Sequence, residues 1–233
     1  MNGLELRLLG RFQLAIDGQA TDQFEADSAR ALFAHLAVHA GERIRREHLA
    51  GLLWPEQAQA SALRNLRTAL SRVRHSLGPL SNFLQSDNQS ITFLLPPGSF
   101  VDAQEFEGLV QSMETHRHRR RIGCSLCIDR LKRAVSLYRG EFLTGFSFDS
   151  PLFTEWMVFQ REHFHQQMVD ALDALAEHHL LMQEWRAARR TAQQALQIEP
   201  GRGGSRRPLM AALAGGRGEK APVCPSFHLE GKG

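Results

Sequence analysis

The chain has 233 residues, room for one large domain or two small ones, each with its own core. Hydrophobic residues make up 42% and charged residues 23%, ordinary values for a globular protein, and no apolar run approaches the roughly 18–20 residues that span a bilayer. The opening MNGLELRLLGRFQLAIDG lacks the layout of a secretory signal, so a cytoplasmic, nucleoid-associated location without membrane contact is expected.

Residues 4–9 and 12–16 are short, apolar and alternating, the pattern of two strands, with Gly10 between them and Asp17-Gly18 as a turn. The period then becomes helical. Ser28 is the expected cap of a helix over 29–39 that carries Leu32, Leu36 and Val38 and stops at Gly41. A second helix over 45–53 holds Leu49, Leu52 and Leu53 and ends at Trp54-Pro55.

The third helix, 58–77, is the most informative. Leu63, Leu66, Leu70, Val73 and Leu77 recur at three- and four-residue intervals and form one buried stripe. The opposite face carries Arg64, Thr68, Ser71, Arg72 and His75, with Asn65 beside them and Arg67 and Arg74 on the flanks. It holds no acidic residue. A helix fits the major groove of B-DNA, where arginine reaches guanine acceptors and asparagine pairs with adenine. The start of the second helix adds Arg43, Arg45, Arg46 and His48, suited to phosphates. Across residues 43–75, seven arginines face only Glu47 and Glu56, so the basicity is local although the formal net charge is just +3.

Two short strands, 83–85 and 91–95, then flank the turn Ser86-Asp87-Asn88 as a hairpin. Its tip, 86–90, has no arginine or lysine, so minor-groove contact there is limited to backbone and the polar groups of Asn88 and Gln89. Pro96-Pro97-Gly98 marks the expected domain boundary, giving a 1–97 unit and a helical 98–200 unit with helices near 103–114, 122–139, 151–181 and 183–198. With Pro200 as the closing proline of a tetratricopeptide unit, Leu175, Ala176, Trp185, Ala188 and Ala195 fall on consensus positions. Residues 201–233 hold eight of the 19 glycines and three prolines, and are expected to be a divergent, disordered tail.

Other signals weigh less. Cys124 and Cys127 are spaced as a C-x-x-C near His116 and His118, but no second pair exists, and their spacing puts both on one helix face with Leu131; buried thiols are expected and no metal. The run HRHRRR, 116–121, reads as a solvated linker. No phosphate-binding loop or catalytic constellation can be assembled, so neither an enzyme nor a cofactor is expected.

The segment ALRNLRTALSRVRHSLG, following LAGLLWP, resembles the OmpR-type winged helix of the SARP-like transcriptional activators. YRGEFLTGFSFDSPLFTEWMVFQREHFHQQMVDALDALAEHH and QEWRAARRTAQQALQIEP resemble the bacterial transcriptional activator domain of that family. The resemblance covers residues 4–200. It implies a mainly α fold with a small β component, a winged helix-turn-helix followed by a tetratricopeptide-like helical domain. It also implies a regulator that binds double-stranded promoter DNA, contacts RNA polymerase and acts as a homodimer or oligomer. By the same resemblance Arg64, Asn65, Arg67, Thr68, Ser71, Arg72 and Arg74 are candidate DNA contacts. The alternative is a tetratricopeptide-like adaptor that binds protein and not DNA.

Overall fold

The computed structural model describes residues 3–21, 24, 26–115, 123–201 and 203–215. They fall into two compact units, one from residues 1–118 and 129–168, the other from 119–128 and 169–233.

In the first unit, β1 (Leu4–Arg7) pairs antiparallel with β2 (Gln13–Ile16), Leu6 opposite Leu14. Strand alternation buries Leu4, Leu6 and Leu14 and turns Glu5, Arg7 and Gln13 outward. β3 (Gln19–Ala20) returns through Asp17 and Gly18, both at positive φ (54° and 77°), where glycine is at no disadvantage. α1 (Asp27–Val38) buries Ala29, Ala31, Leu32, Phe33, Ala34, Leu36 and Ala37, so it is covered on nearly every side. Its cap residue is Ala26 with no side-chain cap bond, which corrects the expected Ser28 cap. Asp27, in the first turn, pairs with Arg30 at 3.1 Å.

β4 (Ile44–Arg45), α2 (Arg46–Leu53) and α3 (Gln59–Leu77) follow. α3 buries Ala62, Leu66, Ala69, Leu70, Val73 and Leu77 against α1 and α2, while Leu63 is only half-buried. A short 3-10 turn (Gly78–Phe83) leads into the hairpin of β5 (Leu84–Ser86) and β6 (Ser90–Phe93), paired with Leu84 opposite Phe93 and Ser86 opposite Ile91. β4 joins this hairpin through β6, so the small sheet runs β4-β6-β5. Three helices closed by a hairpin make the winged helix expected from the sequence.

The chain does not leave this unit at Pro97. β7 (Phe100–Val101) pairs parallel with β1, giving a second sheet in the order β3-β2-β1-β7. Immediately after it, α4 (Asp102–Thr115) opens with a buried carboxylate. Asp102 accepts the backbone N–H groups of Leu8 at 2.7 Å and Leu9 at 3.1 Å, and lies 3.4 Å from the Arg139 guanidinium. These amides lie just beyond the β1–β2 ladder, and the carboxylate takes the place of a strand partner. On the acceptor side, Leu143 donates its N–H to Leu8 at 2.8 Å and Arg139 to Leu9 at 3.3 Å. The end of β1 is thus bracketed by residues far along the chain, and the expected boundary after Pro97 does not coincide with a break between compact units.

α5 (Ser125–Leu137) and α6 (Pro151–Leu181) begin near the expected 122–139 helix and at the expected start of 151–181. Cys127 is buried with Ile128, Leu131 and Ala134 on one face of α5, and Cys124 is half-buried. Phe106, Phe142, Phe153 and Phe164 are fully buried and form, with Trp156, an aromatic core in the first unit.

The second unit contains the C-terminal part of α6, α7 (Trp185–Ile198) and α8 (Gly203–Gly215). Ala176, Ala188, Ala192 and Ala195 are fully buried, and such small side chains let helices approach closely. Trp185 is half-buried against Gly215, where an added Cβ would come within 2.7 Å of the indole. α8 corrects the expected disordered tail over 203–215: it packs on α7, buries Ser205, Pro208 and Ala212, and ties Ser205 to Asp173 of α6. Residues 216–233 and the basic run 116–121, with His116 and His118, lie outside the described residues. Among the described residues no helix is long and apolar enough to cross a membrane.

Candidate nucleic-acid interface

α3 has one face in the core, and that fixes what the other presents. Arg64, Arg67, Thr68, Ser71, Arg72 and His75 are exposed, and no acidic residue occurs anywhere in the helix. Arg64, Arg67 and Arg72 engage no carboxylate among the described residues. The helix stops at Gly78, whose φ of 51° ends the α-helical run and whose N–H bonds the carbonyls of Arg74 and His75.

The remaining predicted contacts are drawn into the scaffold to different degrees. Asn65 is half-buried, and its amide donates to Gln57 Oε1 at 2.7 Å, bracing the connection between α2 and α3. Thr68 Oγ1 donates to the carbonyl of Arg64 at 3.3 Å, one turn back. Arg74 is half-buried; its Nη2 donates to Ser86 Oγ at 2.6 Å and to the Leu84 carbonyl at 3.4 Å. It therefore fastens the hairpin to α3.

Arg43 and Arg46 also grip the hairpin, around Asp87, which the sequence marks only as a turn former. Arg43 donates to Ser90 Oγ at 2.7 Å and to Asp87 Oδ2 at 2.6 Å, and Arg46 Nε donates to the Asp87 carbonyl at 2.7 Å. The Asp87 carboxylate further accepts the N–H groups of Gln89 and Ser90, both at 2.7 Å, the closed geometry of an Asx turn. Those bonds, together with Ser90 Oγ and the Arg43 charge, hold its carboxyl down to about 2. The sequence signal was the aspartate three residues before a serine at a hairpin tip. Arg45, the residue between the two clamps, is exposed on β4.

The arginines are close enough to feel one another. Arg46 is pushed below its ordinary pKa by burial first and then by the charges of Arg67 and Arg74, with Asp87 opposing. A cation cluster thus spans the start of α2, the middle of α3 and the base of the wing. Next to it a cleft of about 580 Å³ is lined by Arg43, Arg45, Arg46, Asn88 and Gln89, with Glu47 in its wall. Glu47 accepts from Gln59 at 3.1 Å, which occupies one carboxylate oxygen. The chemistry on offer is that of a polyanion surface: guanidinium forks and short hydroxyls on a helix narrow enough for a groove, beside an arginine-lined cleft at its edge. Among the described residues no group of three or more histidine, cysteine or carboxylate side chains is placed to hold a metal ion.

A family model described as the bacterial transcriptional activator domain matches residues 101–221, about half of the chain. The match takes in both C-terminal segments on which the sequence resemblance rests. Among solved structures, the chain is similar to EmbR of Mycobacterium tuberculosis, determined in complex with a low-affinity phosphopeptide. The TM-score is 0.71 at 17% sequence identity, and the match covers 93% of this chain and 56% of that one. That likeness is one of fold, and this chain spans little more than half the length of its solved relative. No curated protein sequence matches the chain.

Proposed function

The chain belongs to the bacterial transcriptional activator domain family, and from that premise we propose that it regulates transcription by binding double-stranded promoter DNA through α3. The observation that carries the proposal is the exposed, acid-free face of Arg64, Arg67, Thr68, Ser71, Arg72 and His75 on a helix backed by a packed core. In this reading Arg64 and Arg72 reach base edges or phosphates in the major groove, and Arg67 and Arg45 bind backbone. Arg43, Arg46 and Arg74 play a double part, presenting charge to the phosphates while setting the wing. Asn65 serves chiefly to brace the helix connection. The division of labour follows the sequence: residues 1–97 read DNA, and residues 98–200 contact RNA polymerase and bring copies together on repeated sites.

The test is binding of the full chain to DNA from its own upstream region as salt is raised. Neutralising several phosphates makes log affinity fall linearly with log salt, with a slope of about −0.9 per phosphate contact. Arg64→Ala and Arg72→Ala are each expected to weaken binding about tenfold at constant melting temperature. Arg74→Ala, which frees the hairpin, lowers the melting temperature as well. Unchanged DNA binding in the first two variants removes α3 as the reader. An affinity indifferent to salt favours the protein-binding adaptor instead.

A further inference from the structure

A second cleft, of about 750 Å³, opens in the first unit over the face of β1 and β2 that carries Glu5 and Arg7. None of its lining residues belongs to α2, α3 or the wing. Among the described residues that line it, three are arginines, Arg7, Arg11 and Arg30, and one is a carboxylate, Glu5. Arg7 pairs with Glu5, and Arg30 pairs with Asp27 at 3.1 Å. Arg11 is exposed and has no acceptor among the described residues.

Three of the apolar lining residues are aromatic: Phe12, Phe24 and Phe146. Phe12 meets Phe24 edge-on at 5.6 Å between ring centroids, and Phe24 stacks on Phe33 of α1 at 5.4 Å. Phe33 in turn meets Phe93 of β6 at 5.2 Å, so the floor of the cleft is one end of a column of rings and is held in place from behind. Ala15 and Ala20 face each other across β2 and β3, and both line the cleft. Their small side chains leave space that a larger residue would fill.

We propose that this cleft binds a small planar aromatic anion, a ring carrying a carboxylate or a phosphate. The ring lies against Phe12, which the buried Phe24 backs, and the anionic group meets the Arg11 guanidinium, whose planar fork matches either oxyanion. The volume lies within the range of small-molecule sites, and the lining is divided evenly between apolar walls and polar or charged groups, as a ligand with one apolar and one anionic end requires. The site is separate from the proposed DNA interface, so ligand binding and DNA binding fail independently.

The experiment is an amide chemical-shift titration of the full chain with salicylate and, separately, phenyl phosphate. Benzyl alcohol serves as the neutral ring and inorganic phosphate as the bare anion. Either aromatic anion is expected to produce saturable shifts at Ala15, Ala20 and Gly145, with both controls about tenfold weaker or worse. Arg11→Gln is expected to weaken binding about tenfold, and Ala20→Trp to abolish it, while both variants keep their affinity for DNA. Arg11 is exposed, so its variant carries the test alone if a tryptophan in β3 unsettles the sheet. No saturable shift at those amides up to about 10 mM of either anion overturns the proposal. So does equal binding of benzyl alcohol, or an Arg11→Gln variant with undiminished affinity.

Discussion

Asp87 and His35 show how much of the chemistry sits in single residues that join neighbours in the chain to groups remote in sequence. Asp87 places a full negative charge in the middle of the arginines that the proposed function directs at phosphates. Asp87→Asn keeps an oxygen for the Gln89 and Ser90 amides and removes the charge. DNA affinity is expected to rise about two- to fivefold at low salt, with the gain shrinking at high salt, as fluorescence anisotropy titrations would show. His35 is buried in α1, its ring 4.8 Å from Trp156 and 4.7 Å from His39, and its Nδ1 has no hydrogen-bond partner among the described residues. Burial first, then the charges of His39 and His48, lower its pKa from 6.5 to about 3. Above pH 6.5 the ring is neutral whether the chain is folded or not. Between pH 6.5 and 3 the unfolded chain binds a proton that the folded one refuses, so stability falls as pH falls, by at most about 1.4 kcal/mol per pH unit. His35→Leu is expected to flatten the urea midpoint across that window. His35 and His39, one turn apart on the expected first helix, could be read from the sequence together; His48 and the indole could not, because they come from α2 and α6.

Length and period decided which elements were legible. α3, α6 and α7 stand near their expected bounds because each repeats an apolar pattern over several turns. β3, β4 and β7 have two residues apiece and exist only through their neighbours, so no window of sequence contains them. The buried–exposed split of α3 followed from its period, and with it Arg64, Thr68, Ser71, Arg72 and His75 as the outward set; of the two flanking arginines the fold exposes Arg67 and half-buries Arg74. The anchoring of Arg43, Arg46 and Arg74 did not follow, since their partners lie across a hairpin whose register only the fold determines. α8 was hidden for another reason. Gly203, Gly204 and Pro208 argue against a helix locally, and packing on α7 overrides that propensity. Ending the chain after Pro200 should leave α7 without its neighbour. The expected result is loss of helical signal beyond that of the deleted residues, and a red shift of Trp185 fluorescence in a background lacking the other two tryptophans. The full chain with Gly215→Leu should show a milder form, about 1–3 kcal/mol, because the new side chain meets the indole.

At the scale of the whole molecule, the first unit is not closed until residues well past the winged helix have been added. β7 completes the sheet on β1, Asp102 accepts the Leu8 and Leu9 amides, and residues 139–143 satisfy the carbonyls of the same strand end. Burial pushes the Asp102 carboxyl up while these bonds pull it down, as expected of a charge held inside by its donors. Asp102→Ala is expected to cost about 2–4 kcal/mol, read from denaturant unfolding, because it strands two buried N–H groups. A fragment of residues 1–97 should melt at low temperature and with little cooperativity, as it lacks both β7 and that carboxylate. The bracket at the end of β1 therefore bears on how regulators of this kind can be recombined. An N-terminal head cut at Pro97 and joined to a foreign activation domain carries an open strand end without the β7 pairing, the Asp102 carboxylate and the 139–143 donors that close it in the native chain. If the proposed function holds, promoter choice in such a chain is better altered by redrawing the few outward side chains of α3 than by exchanging heads.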